Sequence, residues 1–226
     1  MQSYIKSLEQ LVYPQYCNRS EISLLEGEQL YCSQCRVADI KPTKLGNWVR
    51  GLKAHHNLDY AIAFYWFGEV IQAYIHHLKY SGWDSFLPRL INNAVKKGEE
   101  LPIEASHAVM LPIPLHRVRQ RDRGFNQAAV IARELAQQWN LTMDESLLKR
   151  KKYTKTQTTL TIQERKENMY MAFQTAENTP KAVILVDDVL TTGSTADACA
   201  VRLRENGSKW VGLVTLVTPK LKKKYR

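Results

Sequence analysis

Two adjacent carboxylates, Asp187 and Asp188, end the apolar run 182–186 and are followed closely by Thr191, Thr192, Gly193, Ser194 and Thr195. An unbroken apolar run bounded by such a turn reads as a strand buried on both faces, as in the middle of a parallel sheet. The acids then fall at the strand's carboxyl end, where open parallel sheets bind ligands. Gly193 tolerates positive φ, so consecutive N–H groups can point into one concavity. The hydroxyls of Thr191, Thr192, Ser194 and Thr195 add donors, and a helix beginning near Ser194 directs its positive end there. This is a phosphate cradle built without lysine.

Carboxylates beside a phosphate cradle suit a ligand rich in hydroxyls, a ligand carrying a metal ion, or both. Ribose hydroxyls donate to carboxylates, and Mg²⁺ takes one or two carboxylates while keeping waters and phosphates. A phosphorylated sugar satisfies both halves. The plain alternative is a capped helix after a strand that ends in Asp. A Walker-type NTPase is excluded because no GxxxxGK[ST] loop precedes the acids. A zinc deaminase is excluded because HxE and PCxxC are absent.

The chain carries a net charge of +10 over 226 residues, which favours anionic partners without specifying a fold. Arg117, Arg119, Arg121 and Arg123 stand at every second position before Gly124. If extended, the four point one way and make a guanidinium comb for pyrophosphate or a nucleic-acid backbone; if helical, they scatter. A solvated surface loop is the bland reading. Further on, "KRKKYTKTQ" places five cations, including Lys149, Arg150 and Lys155, around Tyr153. Such a segment suits pyrophosphate, or single-stranded DNA with the tyrosine stacked on a base, or solvent alone. The tail "KLKKKYR" offers nonspecific affinity for polyanions.

Cys32 and Cys35 form a CxxC knuckle, and Cys17 precedes them. Three thiolates leave a tetrahedral structural Zn²⁺ one ligand short. His55 or His56 completes the shell, or the site is empty. Cys199, between Ala198 and Ala200, reads as a buried inert thiol. His76 and His77 diverge on a helix and read as surface or interface residues. With no signal peptide and no membrane span in view, reduced thiols and a cytoplasmic location are expected, with the inner membrane face as a peripheral site.

These features must be held by an alternation of strands and helices. "AIAFYWF" reads as a strand, followed by helical spacing of Val70, Ile71, Tyr74, Ile75 and Leu78. Beyond residue 105 the order is strand "HAVMLPIPL", helix "FNQAAVIARELAQQWN", strand "AVILV", helix "TADACAVRLRENG" and strand "WVGLVTLVT". The expected organisation is a cysteine-bearing, zinc-ribbon-like head over 1–42, an intermediate strand and helix segment over 43–104, and an α/β domain over 105–226. In that last domain helices flank a parallel sheet.

"VILVDDVLTTGST" resembles the signature of type I phosphoribosyltransferases for 5-phosphoribosyl pyrophosphate (PRPP). With "HHLKYSG", "LPIPLHRVRQRDRGFNQAAVIARELA" and "LLKRKKYTKTQTTLTIQERKENMYMAF" in order, the chain resembles the ComF family, phosphoribosyltransferase-like proteins associated with competence. The resemblance implies a type I phosphoribosyltransferase fold. Asp187 and Asp188 face the ribose hydroxyls, as the catalytic acids if the protein is an enzyme, and Thr191 to Thr195 hold the 5′-phosphate. Pyrophosphate lies by the loop after "LPIPLH", and the stretch containing Gln157, Arg165 and Asn168 is the segment that closes over PRPP. Mg²⁺ accompanies PRPP. The family's head is a four-cysteine zinc ribbon, from which this sequence departs with Ser20. The resemblance also implies single-stranded DNA and the competence DNA-uptake machinery as partners during natural transformation. The alternative is an active Mg²⁺-dependent phosphoribosyltransferase acting on an unidentified acceptor.

Overall fold

In a computed structural model of the chain, residues 57–68, 71, 75, 86–97, 101–115, 117–151 and 170–219 are described. Their centre is a five-stranded, wholly parallel sheet. Its strands are β1 (Tyr60–Trp66), β2 (Val109–Pro112), β3 (Thr142–Met143), β6 (Ala182–Val189) and β7 (Trp210–Thr218), in the order β1-β7-β6-β2-β3. β4 (Leu148–Arg150) and β5 (Phe173–Thr175) make a separate antiparallel ribbon, Arg150 opposite Phe173. The helices are α1 (Phe86–Lys97), α2 (Arg117–Arg123), α3 (Gln127–Trp139) and α4 (Ser194–Glu205).

The apolar runs become central strands because alternate residues enter two different cores. Ile184 and Val186 of β6, with Val214 and Leu216 of β7, pack toward Leu90 and Ile91 of α1 and Ile131 and Leu135 of α3. Val183 and Leu185, with Val211 and Leu213, pack on the opposite face toward Cys199 and Leu203 of α4 and Leu148 and Phe173 of the ribbon. Each fully buried aliphatic side chain contributes about 1.5–3 kcal/mol relative to exposure. The result is a helix–sheet–helix sandwich with the acids at one edge of the middle layer.

β1 comes from the segment read as preceding the α/β domain, and it is an edge strand of this same sheet. It runs parallel to β7, with Tyr60 opposite Gly212 and Trp66 opposite Thr218. Ile71 and Ile75, expected on one helical face, are helical and buried in the first core. Gly212 in mid-strand has a steric reason: a Cβ there would lie 2.6 Å from the Trp210 indole, which folds back over it.

β6 runs three residues beyond the expected "AVILV". β7 is nine residues long and offers a pairing partner that far, with Asp187 opposite Thr215 and Val189 opposite Val217. α3 is bracketed by its caps: the Asn126 side chain accepts from Ala128 N–H, and Asn140 closes the helix at φ 52°. Ala129, Ile131, Ala132 and Leu135, the expected face, are all buried.

Candidate functional site

Asp187 and Asp188 stand half-buried at the carboxyl end of β6, and the Asp188 N–H donates to Asp187 Oδ1 at 2.8 Å. The chain then turns through Leu190, whose N–H is held by the Val217 carbonyl at 2.7 Å. Gly193 is the residue before α4 and sits at φ +80°, a conformation that glycine adopts without strain. No side chain caps α4 from that position, so its first turn presents backbone donors and the helix dipole outward. The Thr192 and Ser194 hydroxyls lie 2.9 Å apart, and Ser194 N–H reaches Thr192 Oγ1 at 3.4 Å. Asp187, Thr191, Thr192, Gly193, Ser194 and Thr195 line one small concavity. One carboxylate and the predicted phosphate turn therefore share a single hollow.

Cys199, on the same helix, is fully buried. Its thiol is pushed well above the ordinary range, first by burial and then by the Asp187 charge, with Arg150 acting in the opposite direction. The thiol stays protonated, in keeping with an inert core role.

A second, larger cleft opens at the end of β2. Pro112, Pro114 and Leu115 line it with Gln120 of α2, Asn126, Lys149 and Arg150 of β4, and one acid, Glu145, which pairs with Arg133 at 3.2 Å. Lys149 is exposed, and the Arg150 guanidinium sits 5.3 Å from the centre of the Phe173 ring. Two cations on a paired strand thus face the loop after β2 that the resemblance associates with pyrophosphate.

The four arginines do not form an extended comb. Residues 117–123 are helical, and positions two apart on a helix lie about 200° apart, so alternate positions no longer share one face. Arginine is a good helix former, and Gly124 at φ +78° ends the helix. Arg121 is exposed, while Arg123 donates to Gln127 Oε1 at 3.0 Å. Lys155, Cys17, Cys32, Cys35, Ser20, His55 and His56 lie outside the described residues, and so do Gln157, Arg165 and Asn168.

The sequence reading missed Asn126. Its amide Nδ2 donates to the Ile113 carbonyl at 3.1 Å while its oxygen caps α3. One side chain therefore fixes both the loop after β2 and the start of α3. The usable signal was an Asn directly before a helical apolar pattern.

A parallel sheet flanked by helices, with an acid pair and a glycine-led turn at its carboxyl edge, is consistent with a type I phosphoribosyltransferase fold, and residues 123–225 match the family described as Phosphoribosyl transferase domain. The recognition of the ComF family is borne out by the relatives. The chain is 34% identical over 128 residues to Competence protein F of Haemophilus influenzae, covering 55% of this chain and 56% of that one. It is 32% identical over 145 residues to DNA utilization protein YhgH of Escherichia coli K12, covering 59% and 61%. To Competence protein ComFC of Bacillus subtilis it is 34% identical over 103 residues, covering 45% and 40%. The matches span about half the length of these curated relatives. No described helix is long and apolar enough to cross a membrane.

Proposed function

We propose that the protein binds PRPP, or a closely related phosphorylated ribose, and handles single-stranded DNA during natural transformation. The observation that carries the first half is the shared hollow of Asp187 and the glycine-led start of α4. The 5′-phosphate sits on the donors of residues 191–195, and the ribose hydroxyls meet Asp187 and Asp188. Pyrophosphate extends toward the second cleft, where Lys149 and Arg150 supply charge.

Mg²⁺ fits this arrangement as a companion of the ligand. The described residues contain no cluster of three acidic, His or Cys groups that would cage a metal unaided. Mg²⁺ is commonly held by one or two carboxylates together with substrate phosphates, which Asp187 and Asp188 allow. When bound, it would neutralise charge on the pyrophosphate.

The DNA half rests on the names of the relatives, Competence protein F and DNA utilization protein YhgH, and on the +10 net charge. Partnership with the DNA-uptake machinery and a Zn²⁺ held by Cys17, Cys32 and Cys35 belong to the same proposal. Stoichiometric zinc in the purified chain would support the zinc site. The second reading, Mg²⁺-dependent transfer of phosphoribose to an acceptor, is favoured by the acid pair, since those carboxylates also stabilise positive charge on a sugar ring.

Calorimetry with PRPP and Mg²⁺ tests the assignment. The wild-type chain binds, and the double variant Asp187→Asn, Asp188→Asn keeps its fold and loses binding. Unchanged affinity in the variant would sink the site. Pyrophosphate release that depends on an added acceptor would promote the enzymatic reading.

A further inference from the structure

α4 begins at the phosphate turn and carries an acid in its own first turn. Asp197 N–H bonds back to the Gly193 carbonyl at 2.8 Å, one helical turn from the cradle. A carboxylate there has two effects on an incoming phosphate. It is a like charge near the positive end of the helix, and it is an internal anion able to compete for the same N–H donors.

The carboxylate is held by a distant segment of the chain. Asp197 Oδ1 accepts from both the backbone N–H of Asn57 at 3.0 Å and its side-chain Nδ2 at 3.2 Å. Asn57 is itself anchored from the other end of α4, because Arg204 Nε donates to its carbonyl at 3.0 Å. Arg204 also pairs with Asp59 at 2.6 Å, and Asp59 Oδ2 accepts from Val211 N–H of β7 at 2.7 Å. The chain entering β1 is thereby pinned along α4, with two donors aimed at one oxygen of its first-turn acid.

We propose that Asn57 is a positioning residue for the phosphate cradle: it draws the Asp197 carboxylate away from the free end of α4 and so sets the anion affinity of that end. The inference rests on the reading of residues 191–195 as a phosphate site. Asn57 lies outside the stretch 123–225 that matches the phosphoribosyl transferase family. It touches no ligand in this scheme and acts through Asp197 alone.

A cycle of variants on the full chain, titrated calorimetrically with ribose 5-phosphate, separates this role from a merely structural one. Asn57→Ala, which removes the Nδ2 donor and keeps the backbone N–H, weakens binding about two- to threefold. Asp197→Asn, which keeps an acceptor for Asn57 and removes the charge, tightens binding about threefold. On the Asp197→Asn background, Asn57→Ala leaves affinity unchanged, because no competing carboxylate remains. A structural tie would lower the melting temperature in both backgrounds without this pattern in affinity. If Asn57→Ala fails to fold, Asp197→Asn alone still decides, since unchanged or weaker binding overturns the proposal. Equal effects of Asn57→Ala in the two backgrounds overturn it also. Should the wild-type chain not bind ribose 5-phosphate, the phosphate-site reading falls and this inference with it. Wild-type binding that Asn57→Ala leaves untouched removes the inference alone.

Discussion

Arg202 lies over the ring of Tyr170, with its guanidinium carbon 3.8 Å from the ring centroid. It also donates from Nε to the Tyr170 carbonyl at 3.3 Å and from Nη1 to the Tyr170 hydroxyl at 3.1 Å. Glu205 completes the cluster, accepting from Tyr170 and from Arg202. This arrangement fastens the chain just before β5 to α4, the helix that starts at the Gly193 turn.

Arg202→Ala removes the stack and every one of those donors, and is expected to cost about 1–2 kcal/mol of stability in urea unfolding. Arg202→Lys should not restore the loss, because an ammonium lacks the planar fork that stacks and donates together. Tyr170→Phe keeps the ring and should fall between wild type and Arg202→Ala. An Arg202→Ala protein as stable as wild type would refute the clamp.

Asn126 does two jobs that substitution can separate. Asn126→Ser keeps a capping oxygen for Ala128 N–H but cannot reach the Ile113 carbonyl. Asn126→Ala loses both, so the Ala variant should be less stable than the Ser variant by about 1 kcal/mol, the ordinary worth of an N-cap. Both variants should weaken pyrophosphate binding alike, because both release the loop after β2. Equal stability of the two variants would remove the capping role.

Tyr65 gives the fold an alkaline limit. Burial pushes its phenol up to about 12, with the Asn93 hydrogen bond offsetting part of that rise. Its hydroxyl donates to the Leu90 carbonyl of α1 at 2.7 Å. A raised folded-state pKa means that the folded state holds the proton more tightly than the unfolded chain does. The contribution is therefore complete below about pH 10, the ordinary tyrosine value, and is lost as pH rises toward about 12. The loss is at most about 1.4 kcal/mol per pH unit. Tyr65→Phe should be less stable than wild type at pH 8, and the gap should narrow between pH 10 and 12. Urea unfolding at stepped pH measures it, and a gap constant with pH would contradict the assignment.

These relationships also mark the limits of the sequence. β6 and β7 were legible because burial on both faces leaves an unbroken apolar run, and the turn at Gly193 was legible because few other residues tolerate its φ. α2 was not, since arginine at every second position carries no apolar face to reveal the period. β4 and β5 are three residues each, too short for any pattern. The ties from Asn57 to Asp197 and from Arg202 to Tyr170 join positions 140 and 32 residues apart. Only the folded topology brings them together, so the ties that hold the turn after β6 in place were invisible although the acids and hydroxyls of that stretch were plain.

The proposed handling of DNA makes a quantitative demand on the exposed cations. If Lys149 and Arg121, both exposed, each neutralise a phosphate, binding to a single-stranded oligonucleotide should weaken steeply as salt is raised. On a single strand, each neutralised phosphate adds about 0.7 to the steepness of log affinity against log salt. Lys149→Ala and Arg121→Ala should therefore each flatten the slope by about 0.7, and the double variant by about 1.4. Sequence preference should stay the same, because backbone phosphates carry no base information. Fluorescence anisotropy with labelled oligo-thymidine across a salt series reads all three slopes. A wild-type slope near zero would remove DNA from the proposed function. A steep wild-type slope that neither substitution changes would move the DNA-binding surface away from β4 and α2.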